Sequence, residues 1–474
     1  MARHFKFHSV ADLANESRKL GLDLRFSDDL SPLFQPVTVG GFRVGNAFCV
    51  QPMEGCDGTL DGLPDELTFR RFQRFGAGGA KLIWGEACAV VAEARANPRQ
   101  LVVTEAALPG LEKMLNVCRQ AHRDAFGSDD DLLLGLQLAH SGRYSYQRPL
   151  IAVHDPLLDP RTVIDKTTGR AIDASYPLLS DDELKRLVDH YVLAAKRLHQ
   201  IGCQFVDLKQ CHRYLLSELL AAKDRPGPFG GSLENRTRLA RDVITGIRSE
   251  APGLMISSRL NVFDGVPFRK KPGSEQGEPC PHDLPLRCAW GTDPLDASKP
   301  DLTEPLAWIG EMARLGVALV NVSMGSPYVS PHLLRPFEYP PPDGYETPEH
   351  PLISVDRHFR LTEQIQRVYP QLPVVGSGYS YLQEYLPHVA QAAVREGWTD
   401  VVGLGRMVLS YPEMLSDAAE KGTLVPRRIC RTFSDCTTAP RNGLISGCYP
   451  LDTFYATRPE AAQLKAFKRP PSAS

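Results

Sequence analysis

Gly202 to Leu220 reads GCQFVDLKQCHRYLLSELL. A short run, Phe205 to Leu208, stops at Lys209, and His212, Arg213 and Tyr214 follow before a Leu-rich segment resumes. Four residues with an aromatic and a β-branched member, entered from a glycine, read as a buried strand. An amine, an imidazole and a phenol therefore crowd the end of that strand. The segment before it is helical: Ser180 to Glu183 is a capping box, and Leu184, Leu187, Val188, Tyr191, Ala195 and Leu198 form one apolar stripe. A helix packed on the outside of a sheet needs such a stripe.

The same alternation recurs along the chain. Strand-like runs are AFCV before Gln51, KLIWGE, LLLGLQLA, QFVDL, LMISSRL, ALVNVS, LPVVGSG and DVVGLG, each followed by polar or Gly residues and a helical pattern. Eight such units predict a TIM (β/α)8 barrel with N- and C-terminal extensions and long loop insertions. Residues 1–36 are expected as an N-terminal extension, 37–423 as the barrel and 424–474 as a C-terminal extension. Two Pro-rich, charged stretches, about 266–305 and 335–351, interrupt the rhythm after strands. Loops after barrel strands lie at the C-terminal face, so these insertions read as lids or substrate walls, or else as surface ornaments or subunit contacts.

Composition narrows the function classes. Of 474 residues 42% are hydrophobic and 23% charged, with a formal net charge of −2, which leaves no electrostatic footprint for nucleic acid or an anionic membrane. No apolar run is long enough to cross a bilayer, and Leu132 to Ala139 is a buried strand rather than a span. The start, MARHFKFHSVADLANESRKLG, lacks the pattern of a secretory signal and reads as a polar helix opening at Ser9, so a cytoplasmic protein is expected. Eleven scattered cysteines predict free thiols. A small-molecule substrate is expected, and a homo-oligomer is left open.

Polar residues where barrel strands stop face the active-site mouth. In strand order the chain offers QPMEGCDG, GEACAV, QLAHSGR, KQCHRYLL and SRLNV, with GSG after the seventh strand and GLGR after the eighth. These motifs, with GGSLENRTRLARDVI (Gly230 to Ile244) and GLGRMVLSYP (Gly403 to Pro412), resemble the old yellow enzyme family of FMN-dependent ene reductases, in the wider branch that includes dienoyl-CoA reductases and trimethylamine dehydrogenase. The resemblance runs from about Leu33 to Leu415, less the insertions.

That resemblance implies FMN, with NADH or NADPH as electron donor. It places Pro52, Met53 and Ala87 along the flavin, Gln137 at its pyrimidine edge, and Arg259 where a cation stabilises negative charge at N1 and O2. Ser377, Gly378, Gly405 and Arg406 are implied at the phosphate, where bare backbone and a guanidinium suit an anion. Lys209 and His212 fall where relatives hold a substrate carbonyl oxygen, and Tyr214 where they carry a proton donor. The chemistry expected is reduction of an activated C=C bond. The alternatives are a flavin-dependent dehydrogenase that oxidises an amine or desaturates its substrate and passes electrons to a carrier, and a phosphate-binding barrel without flavin.

Two positions depart from the pattern. The first donor is commonly His in relatives and here is Lys209, which either grips an anionic oxygen or pairs with Glu54 or Glu86. Glu54 itself stands where relatives often carry Cys or Thr, so Glu54 and Cys56 are only candidate pocket residues. The tail resembles the iron–sulfur segment of larger relatives, but Cys430, Cys436 and Cys448 are three thiols where a cubane takes four, so no cluster is expected. No metal site is expected at Cys280, His282 and Cys288 either, whose spacing is irregular. His140 reads as structural. The nucleotide-binding domains of larger relatives are not seen, so a nicotinamide is expected to share the substrate pocket in alternation, unless a partner supplies the electrons.

Overall fold

All eight expected strands are present and close into one parallel barrel in chain order: β1 (Phe48–Val50), β2 (Leu82–Ala89), β3 (Leu133–Ala139), β4 (Phe205–Leu208), β5 (Met255–Asn261), β6 (Val317–Ser323), β7 (Val374–Gly376) and β8 (Val401–Leu404), with β8 pairing back to β1. The structure, a computed structural model, describes residues 4–468.

Period-two alternation explains how these strands carry both a core and a site. Val206 and Leu208 of β4, Leu134, Leu136 and Leu138 of β3, and Val320 and Val322 of β6 point outward into the large core shared with the helices. The alternate residues point into the barrel. Cys49, Leu82, Trp84, Leu133, Phe205, Leu319, Val375 and Val401 form an apolar plug, packed against the hairpin Val37–Val39/Phe42–Val44. One step higher the interior turns polar. Gln137 of β3 stands opposite Asp207 of β4, and Asn321 of β6 opposite Arg259 of β5. Along β4, the same face thus passes from Phe205 in the plug to Asp207 in the polar layer and Lys209 at the mouth.

The outer helices follow the sequence pattern. Asp181–Gln200 begins at the expected capping box, with Ser180 Oγ accepting from the Glu183 amide and Glu183 accepting from the Ser180 amide at 2.7 Å. Its buried residues include Leu184, Leu187, Tyr191, Ala195 and Leu198. The N-terminal helix Val10–Lys19 opens at Ser9, whose side chain accepts from the Asp12 amide.

Residues 266–305 fold as two small hairpins, Phe268–Lys270 with Gly277–Pro279 and Thr292–Asp293 with Asp296–Pro300. The first hairpin joins the second insertion: the Gly277 amide donates to Glu346 O at 2.8 Å, and the Phe268 ring packs on His332 and Tyr345. After residue 424 come the short helices Asp435–Arg441, Thr453–Ala456 and Pro459–Phe467. Arg70 and Arg74, from the helix after β1, hold this segment through Asp452 at 2.9 Å each.

Candidate active site

A cavity of about 290 Å³ opens at the C-terminal end of the barrel. Its floor and walls come from strand ends: Gln51 to Gly55 after β1, Lys209, His212 and Tyr214 after β4, Arg259 on β5, Ser377 and Gly378 after β7, and Gly403, Gly405 and Arg406 at β8. Of the residues singled out in the sequence, Pro52, Met53, Lys209, His212, Tyr214, Arg259, Ser377, Gly378, Gly405 and Arg406 are brought together here.

Gln137 and Ala87 lie beneath it, fully buried, and do not line the cavity. The Gln137 amide donates to Asp207 Oδ2 at 2.5 Å, and the same carboxylate accepts from Trp84 Nε1 and from the Arg259 backbone amide, each at 2.7 Å. Burial raises Asp207 to about 6 despite those donors. The Ala87 carbonyl accepts from Gln100 Nε2 at 3.0 Å.

Lys209 sits at the centre of the polar wall. Its ammonium lies 3.4 Å from Glu54 Oε2 and 3.4 Å above the ring centroid of Tyr214. Burial lowers its pKa and the Glu54 charge opposes that. Glu86 is not its partner: that carboxylate takes Arg71 at 2.5 Å and the Gly55 amide at 2.9 Å. Glu54 also accepts from Asn97 Nδ2 at 3.2 Å and from the Tyr214 hydroxyl at 2.7 Å.

Backbone strain aims the next residues. His212 and Arg213 both adopt left-handed φ, 65° and 63°, a conformation that costs non-glycine residues about 1–3 kcal/mol each and that the surroundings must enforce. Arg213 is fixed by Asp264 at 3.2 Å and by the Cys288 carbonyl at 2.5 Å. The turn brings His212 Nε2 to 3.0 Å from Ser323 Oγ, and the residue lines the cavity. Burial, then Arg259 and Lys209, push His212 far below its ordinary pKa, so the imidazole is neutral. Tyr214 moves the other way: burial, then Glu54, hold its phenol protonated.

Further cations line the cavity. Arg259 places its Nη1 on the Pro52 carbonyl at 3.3 Å while its buried Nε has no partner among the described residues. Arg406 Nη1 and Arg335 Nε and Nη2 are likewise buried and unpartnered. Beside them the backbone runs close. Gly378 has φ 96°, and a Cβ on Gly403 would lie 1.8 Å from Gln51 Nε2. Unpartnered guanidinium N–H groups next to glycine turns suit an anionic ligand rich in acceptors, and FMN is such a ligand.

Several further wall residues have no individual role assigned by the sequence pattern. Gln51 bridges the barrel top, donating to Ser377 Oγ at 3.1 Å and accepting from Asn321 at 2.7 Å. Tyr328, Arg335 and Pro336 come from the loop after β6, and Thr437, Ser446 and Cys448 from the C-terminal segment. The leading edge of the second insertion thus faces the cavity, whereas residues 266–305 support it from behind.

The remaining candidates have local roles. His140 Nδ1 accepts from the Gly142 amide at 3.1 Å, away from the cavity. Arg161 donates to Cys280 Sγ at 2.9 Å. Cys430, Cys436 and Cys448 line a small cavity of about 20 Å³ beside Arg406. Among the described residues, no group of three or more His, Cys, Asp or Glu side chains has an arrangement that holds a metal ion, and no helix is long and apolar enough to cross a membrane.

Comparison with known proteins places this site in a family. The NADH:flavin oxidoreductase / NADH oxidase family model matches residues 32–276, more than half of the 474. An NADPH dehydrogenase of a Geobacillus species is 26% identical over 260 residues, covering 52% of this chain and 70% of its own. An NADPH dehydrogenase of Halalkalibacterium halodurans is 25% identical over 322 residues, covering 67% and 78%. The chain spans about half the length of other curated relatives. In fold it is similar to a 2-naphthoyl-CoA reductase (TM-score 0.65, 18% identity, 90% of this chain and 57% of that one) and to the histamine dehydrogenase of a Rhizobium species (TM-score 0.62, 22% identity, 90% and 53%). The old yellow enzyme homologue of Zymomonas mobilis is also similar (TM-score 0.57, 20% identity, 83% and 94%). With its barrel closed beneath a cavity that calls for an anionic ligand, and the family model laid over strands β1 to β5, the chain belongs to the NADH:flavin oxidoreductase / NADH oxidase family, the FMN-dependent NAD(P)H oxidoreductases to which the old yellow enzymes belong.

Proposed function

We propose that this oxidoreductase reduces an activated C=C bond of the enone or enoate type, in a cytoplasmic setting. The observation that carries the reading is the convergence of Lys209, neutral His212 and protonated Tyr214 on one cavity. Bound FMN supplies hydride transfer from NADH or NADPH to substrate. Arg259 would hold its electron-rich edge, Pro52 and Met53 its flank, and Ser377, Gly378, Gly405 and Arg406 its phosphate, while Ala87 and Gln137, which do not line the cavity, would support that floor from below.

The chain's own chemistry is polarisation and proton supply. With the Ser323 hydroxyl as donor to His212 Nε2, the ring proton would rest on Nδ1 and be free to donate to a substrate oxygen. Lys209 adds a second, cationic donor, which favours an oxygen that gains negative charge during reaction. Tyr214 then delivers a proton from its hydroxyl to carbon. Stacked partners steady that phenol, with the Tyr328 hydroxyl 2.9 Å from its own.

Glu54 supports a second reading, oxidation of an amine, since a carboxylate beside the Tyr214 and Tyr328 rings suits an ammonium. Lys209 counts against it by occupying that carboxylate. Anaerobic stopped-flow records of the flavin band, with NADH, NADPH, enones, enoates and amines offered separately, decide between them. Bleaching by a nicotinamide and recovery with an enone is the outcome expected; bleaching by an amine, with nicotinamides inert, would establish the dehydrogenase.

A further inference from the structure

Arg335 opens the second insertion, directly after the short helix Pro331–Leu334, and reaches back over the barrel to the cavity wall that carries Arg406. The two side chains are joined at the backbone: Arg406 Nη2 donates to the carbonyl of Pro336 at 2.5 Å. Arg335 Nη1 donates to Thr437 Oγ1 of the C-terminal segment. Among the described residues, neither guanidinium has a carboxylate partner. Of their six nitrogens, Arg335 Nε, Arg335 Nη2 and Arg406 Nη1 are buried with no acceptor among the described residues. A third arginine nearby, Arg441, is already paired with Asp343 at 3.1 Å.

Two adjacent, partly buried cations whose buried N–H groups are unneutralised repel each other and lose hydration, an arrangement that an anion would stabilise. Burial and the charges of Arg406 and Arg441 push Arg335 below its ordinary pKa, as expected of a cation awaiting a counter-charge. The ligand must be compact, doubly charged and rich in acceptors, because three N–H donors of two planar forks are unsatisfied on a cavity wall that also carries Ser377, Gly378 and Gly405.

We propose that Arg335 and Arg406 form a two-arginine clamp on a single phosphate dianion, the terminal phosphate of the flavin. The clamp rests on the reading that this cavity holds FMN. It also ties cofactor binding to two parts of the chain outside the barrel strands, since Arg335 belongs to the insertion and its supporting hydroxyl to the C-terminal segment.

The test is the affinity of the full chain, stripped of flavin, for FMN and for riboflavin, read from quenching of flavin fluorescence. Arg335→Gln is expected to weaken FMN about tenfold to a hundredfold and to leave riboflavin unchanged, the loss of a charged hydrogen-bond set to one phosphate. Arg335→Lys keeps a cation and most of the packing but not the fork; it is expected to lose several-fold for FMN alone, and it serves if the Gln variant does not fold. Unchanged FMN affinity in a folded Arg335 variant overturns the clamp, and so does an equal loss for FMN and riboflavin. Wild-type protein that takes up neither flavin overturns the FMN reading itself, and the clamp with it.

Discussion

Lys209 Nζ stands 3.4 Å above the centre of the Tyr214 ring. A cation over an aromatic face is attracted by the ring quadrupole, and the attraction grows if the ring becomes a phenolate. Lys209 therefore favours the product of proton donation, while Glu54, accepting from the Tyr214 hydroxyl at 2.7 Å, favours the phenol before it. Tyr214→Phe is expected to slow substrate reduction by about 10²- to 10⁴-fold, the range for loss of a positioned acid. Reduction of the flavin by NAD(P)H should change little. The two half-reactions, followed separately in stopped flow, check both statements, and an undiminished rate with substrate removes Tyr214 as the donor.

A donor must be reloaded. Tyr328 offers the route, because it is 39% exposed and its hydroxyl lies 2.9 Å from that of Tyr214. Its ring is held in place by stacking on Tyr144 at a centroid distance of 3.9 Å. Tyr328→Phe should leave the first turnover of pre-reduced enzyme near the wild-type rate and slow later ones, with a larger solvent isotope effect in steady state. Equal rates for first and later turnovers would show that protons reach Tyr214 another way.

The pH profile follows from the same cluster. Burial and Glu54 raise the Tyr214 pKa well above the ordinary 10.0, so ionisation of this phenol should cost no rate up to about pH 9. Glu54→Gln removes the negative neighbour and moves the alkaline limb to lower pH. A spectrophotometric titration of tyrosinate should show the same displacement; a limb that stays fixed in Glu54→Gln would mean that Glu54 does not control this phenol.

Lys209, buried, and Glu54, partly buried, also form an ion pair, and removing one partner strands the other. Lys209→Met and Glu54→Gln should each destabilise the fold, and the double variant should lose less than the sum, with a coupling of about 1–2 kcal/mol in chemical denaturation. Additive losses would mean that the two side chains do not act as a pair.

How much of this was legible in the sequence depends on where each residue sits. Strand positions obey a period of two, so the eight strands and the polar residues at their ends could be read from local pattern, and the resemblance placed Lys209, His212, Tyr214 and Arg259. Asp207 was hidden by the same rule, since an acid inside an apolar run gives no sign that it will accept from Trp84, Gln137 and Arg259 at once. Arg335, Tyr328 and Thr437 were illegible for a different reason. They reach the cavity through loops and a terminal segment, whose paths are set by distant contacts such as Gly277 to Glu346 and Arg70 to Asp452, and no spacing along the chain encodes those.

Asp452 provides the sharpest test of that distant wall. It is buried, accepts from Arg70 and Arg74, and caps the helix Thr453–Ala456 by accepting from the Phe454 amide at 3.1 Å. The arginines gain from it more than charge, because Arg70 also lies 4.2 Å from the Phe454 ring centre. Asp452→Ala leaves two guanidinium groups facing each other without an acid and removes the cap, a loss of about 2–4 kcal/mol. That loss falls on one short segment, not on the barrel. The variant should therefore keep the main unfolding transition nearly unchanged, become cleavable by protease after residue 424, and retain flavin less well, because Thr437, Ser446 and Cys448 leave the cavity wall together. Mass spectrometry of the fragments locates the cut; resistance equal to wild type would show that the segment is held by its other contacts, such as the bond from the Cys56 amide to Ser446 Oγ at 2.9 Å.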